Sequence, residues 1–140
     1  MAKDPKVDML RKVALLTRCS EEAVESIARL ADEVDVPDGY TLMRQGDLGQ
    51  EFFLIVDGQV HIERDGRSVA TLGPGDYVGE IALIEEGRRT ATATAKGPAK
   101  LLVITHRGFN SLLDSSADIR AAVMKELVAR LRMLQPDLFG

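Results

Sequence analysis

The sequence predicts a mainly β protein with flanking helices: an antiparallel β jelly roll (double-stranded β-helix) with N-terminal and C-terminal helices. Three observations predict it. The hydrophobic period is helical up to about Ala31, strand-like from Val34 to Thr105, and helical again afterwards. Turn signals punctuate the middle stretch at short, fairly even intervals: Asp38-Gly39, Gln45-Gly46-Asp47, Asp57-Gly58, Asp65-Gly66 and Gly73-Pro74-Gly75-Asp76. Many short strands spaced in this way imply a sandwich or roll. The run Phe52-Phe53-Leu54-Ile55-Val56 is apolar on both faces and reads as a strand deep inside it.

Taken in order, Val7, Leu10, Val13 and Ala14 sit near helical spacing and predict a helix from Val7 to about Leu16. Ser20 is a candidate N-cap for a second helix, from Glu21 to about Ala31, with acids in the first turn and a stripe at Val24, Ile27, Ala28 and Ala31. In the strand region, Asp57-Gly58 and Asp65-Gly66 lie between strand-like runs and read as tight hairpins, because primed turns need positive φ. Val60 and Ile62 alternate with His61 and Glu63, the mark of a half-exposed strand. Thr105 is placed to cap a short helix reaching about Leu113. Ser115 or Ser116 would cap a longer one carrying Ile119, Val123, Leu127, Leu131 and Leu134 on one side, with a stop at Pro136. A second apolar edge, Met124, Val128 and Leu131, gives this last helix two candidate neighbours. The organisation is one domain: helical residues 1–31, a roll over 32–105 with a ligand loop at 79–92, and C-terminal helices over 106–140 acting as a lid.

Composition narrows the function classes. With 140 residues, 45% of them hydrophobic and 29% charged, the chain has the make-up of an ordinary globular domain. A net charge of −4 argues against a nucleic-acid surface, and no run of cations exceeds Arg88-Arg89. The single cysteine, Cys19, cannot close an intrachain disulfide, so a cytoplasmic location is expected. The charged N-terminus lacks a signal-peptide core, and no apolar run nears the ~20 residues that span a bilayer. His61 and His106 stand far apart in no metal-ligand spacing, so neither a metal site nor a catalytic set is expected.

The chemistry concentrates in Val78-Gly79-Glu80-Ile81-Ala82-Leu83-Ile84, closed by Arg88-Arg89-Thr90-Ala91-Thr92. A glycine lets the backbone approach a ligand, since no Cβ intervenes. A glutamate can accept from a sugar hydroxyl. An arginine fork, with N–H groups at the start of a short helix, can hold a phosphate. These residue types together suit a ligand that has both a hydroxyl and a phosphate.

The loop resembles the phosphate-binding cassette of the cyclic nucleotide-binding domain family, found in kinase regulatory subunits, nucleotide-gated channels and catabolite activator proteins. The likeness runs from about Leu30 to Leu113 through the ordered series Gly46, Gly58, Gly73, Gly75, Gly79-Glu80 and Arg89. It implies a sensor with no enzymatic activity and no cofactor, whose ligand is cAMP or cGMP. It further implies that Glu80 takes the ribose 2′-hydroxyl with the Gly79 N–H beside it. Arg89 would clasp the exocyclic phosphate oxygens, and Ala82 and Thr90 would add backbone N–H groups. Val78, Ile81 and Ala91 complete the expected ligand-binding set, while Arg88 is left as a solvated charge. Where most cassettes of the family begin with phenylalanine, this one has Val78, which removes no polar contact.

Thr90 bears on the base. In the family, a hydroxyl directly after the arginine can bond a guanine amino group, so Thr90 permits cGMP without selecting it, and cAMP is placed first. Relatives cover the base with a residue of the C-terminal helix. Arg130, Arg132, Leu134 and Phe139 are candidates here, and no spacing decides among them. Val69, Thr71 and Tyr77 could touch the ligand from inside the roll. The chain ends at Gly140, before any helix-turn-helix like that of the catabolite activators, so no DNA-binding module is expected. The expected partner besides nucleotide is a second copy of the chain, through the C-terminal helix, or an unidentified effector protein. The alternative reading is a protein-interaction domain of the same fold that no longer binds nucleotide.

Overall fold

The computed structural model describes residues 4–134. Its contacts gather into two compact units, one spanning Leu30–Asn110 and one built from the helical segments before and after it.

The first unit is the predicted antiparallel roll. It contains β1 (Asp32–Val36), β2 (Thr41–Met43), β3 (Leu48–Gly49), β4 (Glu51–Arg64), β5 (Arg67–Leu72), β6 (Tyr77–Val78), β7 (Gly87–Arg88) and β8 (Thr92–Thr105). The two long strands β4 and β8 pair along most of their length, from Glu51 opposite Thr105 to Glu63 opposite Thr92. β1 and β2 flank β8, and β5 and β6 flank β4. Phe52 to Ile55 are all buried, as their two-sided apolar character requires, and Val60 and Ile62 point inward while Glu63 is exposed. From β8 and the residue before it, Ala93, Ala95 and Ala91 enter the same core, with half-buried Thr92 and Thr94 between them. In the ladder Ala95 stands opposite Val60 and Ala93 opposite Ile62, so small side chains meet the larger ones of β4 in this core.

Only one of the two expected hairpins turns the chain. Asp65-Gly66, with φ of 54° and 76°, joins β4 to β5 as a primed turn would. Asp57-Gly58 lies within β4, whose register against β8 shifts between Ile55 and Asp57 and again between Asp57 and Gln59. Gly58, at φ 88°, absorbs a bulge that bends the strand onward.

In the helical unit the first predicted helix is broken. α1 covers Pro5–Leu10, and a separate 3₁₀ turn follows at Ala14–Leu16. A continuous helix would carry Val13 and Leu15 on nearly opposite sides, and the break allows Val13, Leu15 and Leu16 all to be buried. Ser20 caps α2 (Glu21–Leu30) by accepting from the Ala23 N–H at 3.2 Å. Thr105 accepts from Gly108 at the start of α3 (His106–Ser115), and Ser116, not Ser115, caps α4 (Ala117–Leu134) through the Ile119 N–H. α4 packs on the 3₁₀ turn, with Ile119 and Val123 buried, but its stripe fades toward the C-terminus: Leu131 and Leu134 are 51% and 78% exposed. Pro136 lies outside the described residues.

Candidate functional site

The cassette is built by three short elements of the roll. β6 brings the chain to Gly79, whose left-handed φ of 80° starts a 3₁₀ turn over Glu80–Leu83. The chain then returns along β7, which pairs with β3 through Leu48–Arg88 and Gly49–Gly87. Beyond that ladder the clamp continues: the Gly46 N–H donates to the Arg89 carbonyl at 2.8 Å, and the Arg89 N–H donates to the Asp47 carbonyl at 2.7 Å. The Arg89 main chain is therefore fixed from both sides before any ligand arrives.

These residues enclose a cavity of about 300 Å³ lined by Met43, Gly79 to Ala82, Glu85 and Gly87 to Thr90. Of the expected ligand-binding residues, Gly79, Glu80, Ile81, Ala82, Arg89 and Thr90 are brought together on its wall. Val78 and Ala91 are not on it. Ala91 is buried in the roll core and Val78 packs against that core, pairing with Phe53. Ile81 is 58% exposed at the lip. Val69 and Thr71 are exposed positions of β5, and Tyr77 stacks on Phe52 with ring centroids 5.8 Å apart.

Arg89 is seated rather than dangling. Its Nη2 donates to the Glu51 main-chain carbonyl at 2.6 Å, and its Cζ stands 6.0 Å from the centre of the Phe53 ring. Burial pushes its pKa down, and the Glu51 carboxylate, acting through space, pushes it back up. The guanidinium stays protonated, yet its bonded partner is a neutral carbonyl. A partly desolvated cation in that state favours an anionic ligand.

Two glycines make the seat. An ideal Cβ on Gly79 would meet Arg89 Nη1 and the Glu51 carbonyl oxygen, both at 2.6 Å. On Gly49 it would overlap the Arg89 Nε, with Cζ at 2.6 Å. Gly49 and the Glu51 carbonyl were not legible in the sequence, because no local pattern ties them to Arg89. Arg88, expected as a solvated charge, is exposed and also donates to the Gly46 carbonyl at 2.8 Å, bracing the loop. The Ala82 N–H is donated to the Gly79 carbonyl at 3.0 Å, so a phosphate would have to share it.

Arg130, Arg132 and Leu134 belong to α4 in the helical unit. Arg130 is half-buried there, and Arg132 and Leu134 are exposed. Arg132 lines a groove of about 700 Å³ with Arg18, Met124, Lys125 and Val128. Phe139 lies outside the described residues. No helix among the described residues is long and apolar enough to cross a membrane. Among them, no group of three or more His, Cys, Asp or Glu side chains could hold a metal ion.

Comparison with known proteins places the chain in a family. Residues 33–116 match the cyclic nucleotide-binding domain family. The cAMP-dependent protein kinase regulatory subunit of Schizosaccharomyces pombe is 38% identical over 112 residues, which is 79% of this chain and 27% of that protein. A cGMP-dependent protein kinase of Caenorhabditis briggsae is 30% identical over 121 residues, 81% of this chain and 16% of the relative. Among solved structures, the N-terminal domain of a transcriptional regulator from Streptomyces coelicolor superposes with a TM-score of 0.84 at 30% identity, covering 92% of this chain and 96% of that one. The chain belongs to the cyclic nucleotide-binding domain family. It spans between 16% and 61% of the length of the curated relatives it matches.

Proposed function

We propose that the chain is a cyclic nucleotide sensor: a regulatory binding module, not an enzyme, that takes cAMP first and admits cGMP. The observation that carries this reading is the seated guanidinium of Arg89 on the wall of a cavity shared with Glu80 and Thr90. In it, Arg89 clasps the cyclic phosphate, Glu80 accepts from the ribose 2′-hydroxyl, and the Thr90 hydroxyl is available to a guanine base. Arg130, Arg132 and Leu134 remain the candidates for covering the base. Nucleotide prefers one arrangement of the C-terminal helices and so shifts their population, which is how binding becomes a signal. With its lone cysteine, the chain suits a reducing cytoplasm.

A second, compatible role rests on α4. Met124, Val128 and Leu131 are 64%, 46% and 51% exposed along one edge, which supports contact with a second copy or an effector.

Thermal unfolding tests the sensor reading. A ligand that binds only the folded state stabilises it by about 2.7 kcal/mol at a hundred times its Kd. Saturating cAMP or cGMP should raise Tm, and 5′-AMP, with an open phosphate monoester, should do much less. No shift with either cyclic nucleotide would favour a protein-interaction domain.

A further inference from the structure

Behind the cassette lies a polar cluster that the nucleotide reading does not use. His106, the first residue of α3, places its Nδ1 2.8 Å from the Ala82 carbonyl oxygen, in the cassette's 3₁₀ turn. A carbonyl can only accept, so Nδ1 carries the proton. The other ring nitrogen, Nε2, then faces the Glu86 carboxylate at 3.7 Å, in the return of the cassette. Glu86 is itself held by the Gln50 side chain at 2.8 Å, and the Gln50 carbonyl accepts from the His106 N–H at 2.7 Å. Asn110, one turn along α3, donates to the His106 and Leu83 carbonyls at 2.9 and 3.4 Å. Its amide nitrogen is 3.0 Å from both ring nitrogens, which sets it against the ring as a whole rather than in line with either N–H.

We propose that His106 is a positioning residue, a protonation-dependent staple that holds the cassette turn and Glu86 against the start of α3 and thereby tunes nucleotide affinity. The proposal rests on the sensor reading above. Both ring nitrogens face acceptors, yet neutral imidazole has one N–H. Neutral His106 therefore keeps the Ala82 contact and turns a lone pair toward a carboxylate. Protonated His106 satisfies both, closing a circuit through Gln50, Glu86 and Ala82. The other charges at this place are Glu51 on β4 and Arg107 on α3; both line the same cavity of about 500 Å³. A cassette held in place before binding loses less conformational freedom when nucleotide arrives, so acid should tighten binding. The cyclic phosphodiester does not itself titrate near neutrality.

The test is calorimetric titration of the full chain with cAMP and cGMP from about pH 5.5 to about pH 8, the range in which histidine changes charge. Wild type should bind about two- to fivefold more tightly at the acid end, the range expected of a partly exposed ion pair. His106→Gln keeps an amide donor for Ala82 but cannot titrate, and should flatten the profile. Glu86→Gln, at an exposed position, should flatten it as well, and its amide oxygen can still accept from Gln50. His61→Gln, which removes the histidine paired with Glu63 on β4, should retain the wild-type slope. A flat wild-type profile, or an unchanged slope in both His106→Gln and Glu86→Gln, would overturn the staple and leave the sensor intact. Absence of binding by wild type at every pH would remove both.

Discussion

An ideal Cβ on Gly79 would stand 2.6 Å from the Nη1 of Arg89, so the missing side chain of one residue is the space that the other occupies. Gly79 contributes in a second way, by taking a φ of 80° that starts the cassette turn. The seat of Arg89 therefore depends on glycines as directly as on the cation itself.

Gly79 and Gly49 should fail differently when replaced by alanine. Gly79→Ala forces a left-handed backbone and a clash with the Glu51 main chain, so it should cost the fold about 1–3 kcal/mol in chemical denaturation. Gly49→Ala meets a side chain that can swing aside, so its stability cost should be about 1 kcal/mol. The displaced Arg89 then leaves its Glu51 anchor, and affinity should fall at least about tenfold, or 1.4 kcal/mol. Wild-type affinity in Gly49→Ala would show that the seat is dispensable.

Arg89→Ala should weaken nucleotide binding by more than about 2 kcal/mol, since it leaves a phosphate charge without its partner in a partly desolvated site. The fold should lose only about 1 kcal/mol, the net value of the hydrogen bond to Glu51. Arg89→Lys should recover little of the loss, because a point charge replaces a fork. Titration and denaturation of the two variants check this pair of statements, and full rescue by lysine would contradict the bidentate clasp.

The roll and its cassette were legible because their signals are local. The two-sided apolar run at Phe52–Val56, the alternation of Ala91, Ala93 and Ala95 with threonines, and the caps at Ser20 and Thr105 each follow from residues a few positions apart. What escaped is long-range or main-chain. Arg89 is seated by Gly49 and by the carbonyl of Glu51, and no single-chain periodicity links those positions to it. Asp57-Gly58 looked like a hairpin because a bulge uses the same glycine conformation as a turn, and only pairing with β8 distinguishes them. Ala91 is buried in the roll core and Val78 packs against it, a placement set by long-range packing that the local pattern around Gly79 does not carry.

Glu80→Gln should cost less than Arg89→Ala, because it keeps an acceptor and removes only the charge assistance. Its penalty with cAMP should vanish with 2′-deoxy-cAMP, whose missing hydroxyl takes away what Glu80 holds. An equal penalty for both ligands would remove Glu80 from the ribose. The comparison is a double-mutant cycle with the ligand as one of its partners.

Thr90→Ala should weaken cGMP more than cAMP. Thr90 is exposed on the cavity wall, and its main-chain carbonyl already accepts from Arg64 Nε at 3.2 Å, so losing the hydroxyl should leave the main chain in place. Competition of the two nucleotides for the variant reads the change directly. Equal losses would show that the Thr90 hydroxyl does not read the base.

The central claim is tested most directly by calorimetric titration of the chain, freed of co-purifying ligand by unfolding and refolding, with cAMP and with cGMP. Saturable one-to-one binding of at least one of them, abolished or strongly weakened in Arg89→Ala, is the predicted result. Absence of heat with either nucleotide at several temperatures, from protein that has demonstrably refolded, would contradict it.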